Sequence, residues 1–184
     1  MATKFVGLNP SQTRTLTSDF TEAGRLCMVA VNSLIVNPQM QINQRPQELL
    51  RLAFHISSGD SDFDDEVQTI KNTFLVIPSR ANQLTVSRDT SPPTGASNTI
   101  EFLAFTKNSE ANSIFLRDGY FSLAQRERAL TLIHESVHLI YPANFGDGHP
   151  GGVVIMFAEG DVGIDYDNAS KNPYCYQYFV DWLH

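Results

Sequence analysis

The sequence predicts an α+β fold: helices first, a small mainly antiparallel sheet in the middle, one buried helix after it and a short helical subdomain at the C-terminus. Three observations carry this prediction. Apolar residues recur at helical spacing through residues 18–36 and again through 122–142. Past Pro78 the texture changes to short, β-prone runs separated by Ser, Pro, Gly and Asn. With 184 residues, 42% hydrophobic and 18% charged, the chain is long and apolar enough to bury one core as a single domain spanning 1–184, and no internal repeat divides it.

Taken in order, residues 1–17 are polar, carry Asn9-Pro10 as a turn signal, and read as a loosely attached arm. A first helix is expected from a Thr17 or Ser18 cap to about Val36, on the periodicity of Phe20, Ala23, Leu26, Cys27, Ala30, Val31 and Leu34, with Asn37-Pro38 ending it. Pro46 introduces a second helix, Gln47 to about His55. The acidic run Asp60–Glu66 suits the positive end of a third helix reaching about Val76, and is read as a solvated helix start. Leu84–Val86, Thr99–Phe105 and Ser113–Leu116 are the expected strands, with SPPTGAS at 91–97 a loop. Beyond Pro142 come a glycine-rich turn, NFGDGHPGG, a short apolar run Val153–Ala158, an acidic loop and a last aromatic helix from about Asn172 to Leu183. Its cluster Tyr174, Tyr176, Tyr178, Phe179 and Trp182 is read as core packing rather than a substrate platform.

Composition excludes several classes of function. A net charge of −7 with no Lys/Arg cluster argues against nucleic acid as a partner. No run approaches the ~18 apolar residues of a membrane span, so no membrane partner is expected. The N-terminal MATKFVGLNPSQTRT lacks the apolar core of a secretory signal peptide. Cys27 and Cys175 match no zinc-knuckle or redox spacing and read as buried free thiols or a single disulfide.

The chemistry lies in Ser122–Pro142, SLAQRERALTLIHESVHLIYP. Ser122 and Gln125 form an S-x-x-Q capping box, Pro142 is a stop, and Leu130, Ile133, Val137 and Ile140 share one side, with Leu132 and Leu139 extending the apolar surface: a buried helix. Within it His134-Glu135-Ser136-Val137-His138 is an H-E-x-x-H motif. At about 100° per residue, His134 and His138 project from nearly the same face, close enough to grip one metal ion, and Glu135 sits roughly 60° round from His138, beside the metal rather than on it. Two imidazoles and a neighbouring base are the requirement for zinc hydrolysis. A lone histidine on an apolar helix is more often a core residue; the complete motif on such a helix favours the metal site.

A catalytic zinc needs a third protein ligand. Asp147, His149, Glu159 and Asp165 are the downstream candidates. The H-E-x-x-H-x-x-G-x-x-H continuation fails, since Tyr141 and Asn144 stand at the glycine and third histidine. Glu159 lies in FAEGDVG, which does not read as helix. Asp147 and His149 sit in the turn directly after the motif helix, where the chain can fold back beneath the metal, although Asp and Gly are also ordinary turn residues.

The span SIFLRDGYFSLAQRERALTLIHESVHLIYPANFGDGHPGG, followed by NPYCYQYF, resembles the aspzincin metallopeptidases, the deuterolysin and peptidyl-lysine metalloendopeptidase group. The resemblance covers roughly residues 113–184 and is strong at H-E-x-x-H. It implies a zincin-like fold, His134 and His138 as zinc ligands, Glu135 as general base and, from the family's G-T-x-x-D-x-x-Y-G motif after the helix, Asp147 as the aspartate ligand, with Gly151 at that motif's last glycine and Asn172, Tyr176, Tyr178 and Phe179 on the closing segment. A fit of Asp165-Tyr166 to the same motif leaves too short a stretch before Asn172, so His149 and Asp165 stand behind Asp147. The chain departs from the pattern in lacking Gly-Thr before Asp147 and in placing Pro150 where the family has its oxyanion-steadying tyrosine. His149, Tyr141 and Tyr166 are the remaining donors. Tyr174 and Gln177 stand where lysine-specific members carry acidic residues, so lysine preference is not implied.

The expected function is a zinc-dependent endopeptidase acting on a protein or peptide, with secretion or delivery into another cell as a toxin or effector as its setting. The competing expectation is a zinc-binding structural or interaction module without turnover, which the missing tyrosine favours.

Overall fold

The computed structural model describes residues 3–35, 42–90, 103–107, 109–142 and 166–183. Among these residues the strands and α-helices follow in the order β1 (Lys4–Val6), α1 (Pro10–Ser33), α2 (Gln44–Phe54), α3 (Phe63–Arg80), β2 (Thr85–Arg88), β3 (Ala104–Thr106), β4 (Ser113–Leu116), α4 (Gln125–Ile140), α5 (Tyr166–Ala169) and α6 (Pro173–Trp182). The expected α+β class is what the chain adopts.

Local chemistry sets the helix bounds. Asn9 caps α1: its side chain accepts from the Gln12 amide at 2.9 Å while the Gln12 side chain accepts from the Asn9 amide at 3.0 Å, and Pro10 occupies the first helical position. The Asn-Pro pair expected to be a turn is therefore a helix start. Lys4–Val6 form a strand and residues 10–17 belong to α1, which corrects the expected loose arm over 1–17. The third helix continues past Val76 to Arg80 with Pro78 in its last turn. There the proline removes the bond that an amide at position 78 would give to the Phe74 carbonyl, and the helix ends two residues later. His55, at φ 58°, closes α2 in the left-handed region. α6 starts one residue later than expected, with Asn172 as its cap, accepting from the Tyr174 amide at 3.0 Å.

The sheet has strand order β1-β2-β4-β3. β1 and β2 pair in parallel, as do β2 and β4; only β3 and β4 are antiparallel, with Phe105 opposite Phe115. The expected mainly antiparallel sheet is thus corrected to a mixed one. The reason is the connections: β1 reaches β2 through α1, α2 and α3, a crossover that delivers a parallel neighbour, whereas β3 and β4 are joined by a short turn. Gly7, at φ 70°, turns the chain out of β1 toward α1.

Helices and sheet enclose one core, to which Leu26, Phe54, Phe74, Ile114, Ile133, Tyr176 and Phe179 contribute fully buried side chains. α4 lies at its centre, packed on α1, α3, α6 and β3, with its strongest contact to α6. Phe54 and Phe74 meet Tyr176 edge-on at 5.0 and 5.2 Å, tying α2 and α3 to α6. Cys27 and Cys175 are buried free thiols, each pushed up to about 12 by desolvation and so unreactive. Among the described residues no helix is long and apolar enough to cross a membrane.

One buried ion pair fastens α4 to α1. Asp19, fully buried, accepts from Arg128 Nε at 2.8 Å and from the Tyr120 hydroxyl at 3.1 Å on the same oxygen, Oδ2. Arg128 also donates to the Leu123 carbonyl just ahead of α4. Removing the carboxylate leaves a partly buried guanidinium without its counter-ion and the Tyr120 hydroxyl without its acceptor, so Asp19→Ala is expected to cost about 2–4 kcal/mol of folding stability. A shift in the urea midpoint at unchanged slope measures it; a loss below about 1 kcal/mol contradicts it.

Candidate metal centre

The motif helix forms from Gln125 rather than from Ser122. Ser122 closes a 3-10 turn over Asp118–Ser122, and the box expected between Ser122 and Gln125 is absent. Its work is done by Glu127, whose carboxylate accepts from the Ala124 backbone amide at 2.9 Å; Gln125 Nε2 donates instead to Ser18 Oγ at 2.9 Å. The helix ends at Ile140, and Arg80 Nη1 donates to the Leu139 carbonyl at 2.8 Å. That places a cation at the negative end of the helix dipole and satisfies one of its terminal carbonyls. From Ala129 to Val137 every residue except Thr131 is buried, so this stretch of α4 runs through the interior.

His134 and His138 lie one turn apart on this helix with ring centroids 5.1 Å apart and planes at 72°. His134 is buried and His138, in the last turn, is half-buried, so the pair spans the step from core to surface. Glu135 is 5% exposed, and its Oε2 has no hydrogen-bond partner among the described residues. Burial pushes its carboxyl up to about 8. A buried carboxyl oxygen without a partner is costly; Asp19 Oδ1 and Glu66 Oε2 share that state among the described residues, and Glu135 differs from them in standing next to a motif histidine.

α6 contributes two residues that sequence reasoning assigned elsewhere. The Gln177 side-chain oxygen lies 3.0 Å from His134 Nδ1. The Tyr174 ring meets the His134 ring edge-on at 4.5 Å and 75°. The aromatic cluster of the closing segment accordingly divides: Tyr176 and Phe179 are fully buried in the core, as expected, while Tyr174, Tyr178 and Trp182 are half-buried and form a row leading away from His134. Recurring every fourth residue, that row carried the same helical signal as core residues.

Tyr141 and Tyr166, two of the expected oxyanion donors, are engaged by α3. The Tyr141 hydroxyl shares a 2.7 Å hydrogen bond with Thr73 Oγ1, and the Tyr166 hydroxyl donates to the Glu66 carbonyl at 3.3 Å. Asp147, His149, Glu159 and Asp165 lie outside the described residues, as do Pro150 and Gly151. Among the described residues no group of three His, Cys, Asp or Glu side chains is arranged to hold a metal ion.

The residues present fit a zinc ion. Two imidazoles one turn apart are nitrogen donors of the borderline softness zinc takes, and a neighbouring divalent cation favours the charged form of a carboxyl that burial otherwise holds neutral. Glu135 thus has in such an ion the electrostatic partner that the described protein atoms do not give it.

No protein-family profile matches the chain, and no curated protein matches it in sequence. Among solved structures, the chain is similar to a zinc peptidase from Grifola frondosa, with a TM-score of 0.62 over 95% of this chain and 96% of that one, at 15% sequence identity. At that identity the likeness is one of fold, and it extends over nearly the whole of both chains.

Proposed function

We propose that the chain is a zinc-dependent endopeptidase. The observation that carries this reading is the pair His134 and His138 one turn apart on a buried helix, with an unpartnered carboxyl oxygen of Glu135 beside them. The fold shared with a zinc peptidase supports it. His134 and His138 would hold the ion, and Asp147 is the proposed third ligand, with His149 and Asp165 as alternatives. When bound, zinc supplies Lewis acidity toward a substrate carbonyl and toward water.

The chain's own residues do the rest. Glu135 accepts the proton of the attacking water on its carboxylate and returns it to the leaving amine nitrogen. Its burial keeps the proton from exchanging with bulk solvent. β3, an outer strand of the sheet among the described residues, packs on α4 and suits an extended peptide bound by backbone hydrogen bonds. Delivery into another cell as a toxin or effector belongs to the same proposal; a host-protein degradation screen comparing wild type with Glu135→Ala tests that setting.

The test is metal removal and return. The purified protein is expected to bind one zinc, to hydrolyse casein, to lose at least ~100-fold of that activity on chelation and to regain it with added zinc. One bound zinc without hydrolysis of casein or any peptide library would establish the structural module instead.

A further inference from the structure

Two polar side chains of α6 reach the motif helix: Asp181 accepts from Arg126 Nε at 3.2 Å, and the Gln177 oxygen lies 3.0 Å from His134 Nδ1. A neutral imidazole carries one proton, and whichever nitrogen holds it cannot bind a metal. An amide oxygen facing Nδ1 is an acceptor and draws the proton there; an amide nitrogen facing it would be a donor and drive the proton to the other nitrogen. With its oxygen toward Nδ1, the Gln177 amide would favour the tautomer that carries the proton on Nδ1 and the lone pair on Nε2. The Tyr174 ring, edge-on at 4.5 Å, restricts the imidazole plane from another direction, and the extensive packing of α6 on α4 keeps both residues in register with the motif.

We propose that Gln177 is a positioning residue that holds the proton of His134 on Nδ1 and its ring in one orientation, leaving Nε2 with a lone pair for zinc. The inference rests on the reading of His134 as a zinc ligand. An ordinary packing role for Gln177 does not require it to fix a tautomer, and the two roles differ in what a carboxylate in its place does. Glu accepts but cannot donate, so Gln177→Glu preserves the selection, whereas Gln177→Leu keeps the approximate volume and abolishes it.

Three measurements on the full chain test this. Long-range ¹H–¹⁵N spectra of the chelated, histidine-labelled protein are expected to show the wild-type His134 proton on Nδ1, and in Gln177→Leu a mixture or the Nε2–H form. Zinc affinity, read by competition with a chromophoric chelator, is expected to weaken about 10- to 100-fold in Gln177→Leu and to return to within about threefold of wild type in Gln177→Glu. Thermal unfolding of the chelated variants is expected to match wild type to within a few degrees, separating ligand positioning from loss of fold. A wild-type His134 with its proton on Nε2 overturns the proposal without recourse to any variant. So does a Gln177→Leu protein that binds zinc as tightly as wild type. A wild-type protein that binds no zinc overturns the metal centre itself and the proposal with it, so the two failures are told apart by the wild-type binding measurement.

Discussion

Glu135→Gln is expected to lower kcat/KM for peptide hydrolysis by about 10²–10⁴-fold while zinc affinity stays within a few fold of wild type. The size follows from the role. Glutamine has nearly the shape of glutamate but cannot accept and return a proton, so the substitution removes general base catalysis and leaves the packing around it. The split follows from the geometry. Glu135 neighbours the two histidines in sequence and on the helix surface, but it is the imidazoles that form the nitrogen donor pair. Comparing kcat/KM with chelator-competition affinity for the same preparations checks both halves. Activity within tenfold of wild type would show that Glu135 is not the base. Parallel loss of zinc and activity would move it into the ligand set.

That prediction relies on a part of the chain whose sequence was unusually legible. α4 combines a helical apolar period, a proline just after its end and a motif whose members must share a face, and each of these is a local signal. Even so its cap falls at Ala124, two residues beyond the expected Ser122, because Ser122 offers the capping chemistry but is taken up by a 3-10 turn, leaving Glu127 to satisfy the Ala124 amide. β1 was missed for a different reason. Three residues, Lys4–Val6, are too few for an alternation to register, and the strand exists because it pairs with Thr85–Ser87 far along the chain. The same nonlocality hid the parallel pairings.

Gln177 shows the limit most clearly. It lies in a helix whose sequence speaks of aromatic packing, and its relation to His134 is created by the packing of α6 on α4. No spacing rule connects two residues 43 positions apart. The resemblance places Gln177 where lysine-specific members carry an acidic residue and implies no role for it; the structure directs its side chain at a motif histidine. The helix therefore takes its fixed geometry from three sides: Asp19 on α1 at its start, Arg80 of α3 at its end, and Gln177 with Tyr174 of α6 at the imidazole. A centre that must hold its ligands to within a fraction of an ångström gains from such bracing before any ion arrives.

The chelated protein is expected to lose stability as pH rises, and Glu135 is the reason. Burial raises its carboxyl to about 8 in the folded chain from 4.5 when exposed. Between those values the folded protein holds a proton that the unfolded chain has released. The unfolded state then binds fewer protons than the folded one, and the unfolding free energy falls with increasing pH. Stability from this source is fully present below about pH 4.5 and is lost as pH approaches 8. From pH 5 to pH 8 the loss amounts to about 3–4 kcal/mol. Glu135→Gln cannot titrate and should remove that slope, so the variant is expected to be the more stable chelated protein at pH 8 and to differ little from wild type at pH 5. Urea unfolding of both proteins at pH 5, 6.5 and 8 checks it, and the difference between them cancels the contributions of the other titrating groups. Saturating zinc should flatten the wild-type slope, because a cation beside the carboxylate favours the charged form that burial opposes. Equal slopes for the two chelated proteins would mean that Glu135 is solvated in the metal-free state, and would remove the electrostatic reason for placing a cation beside it.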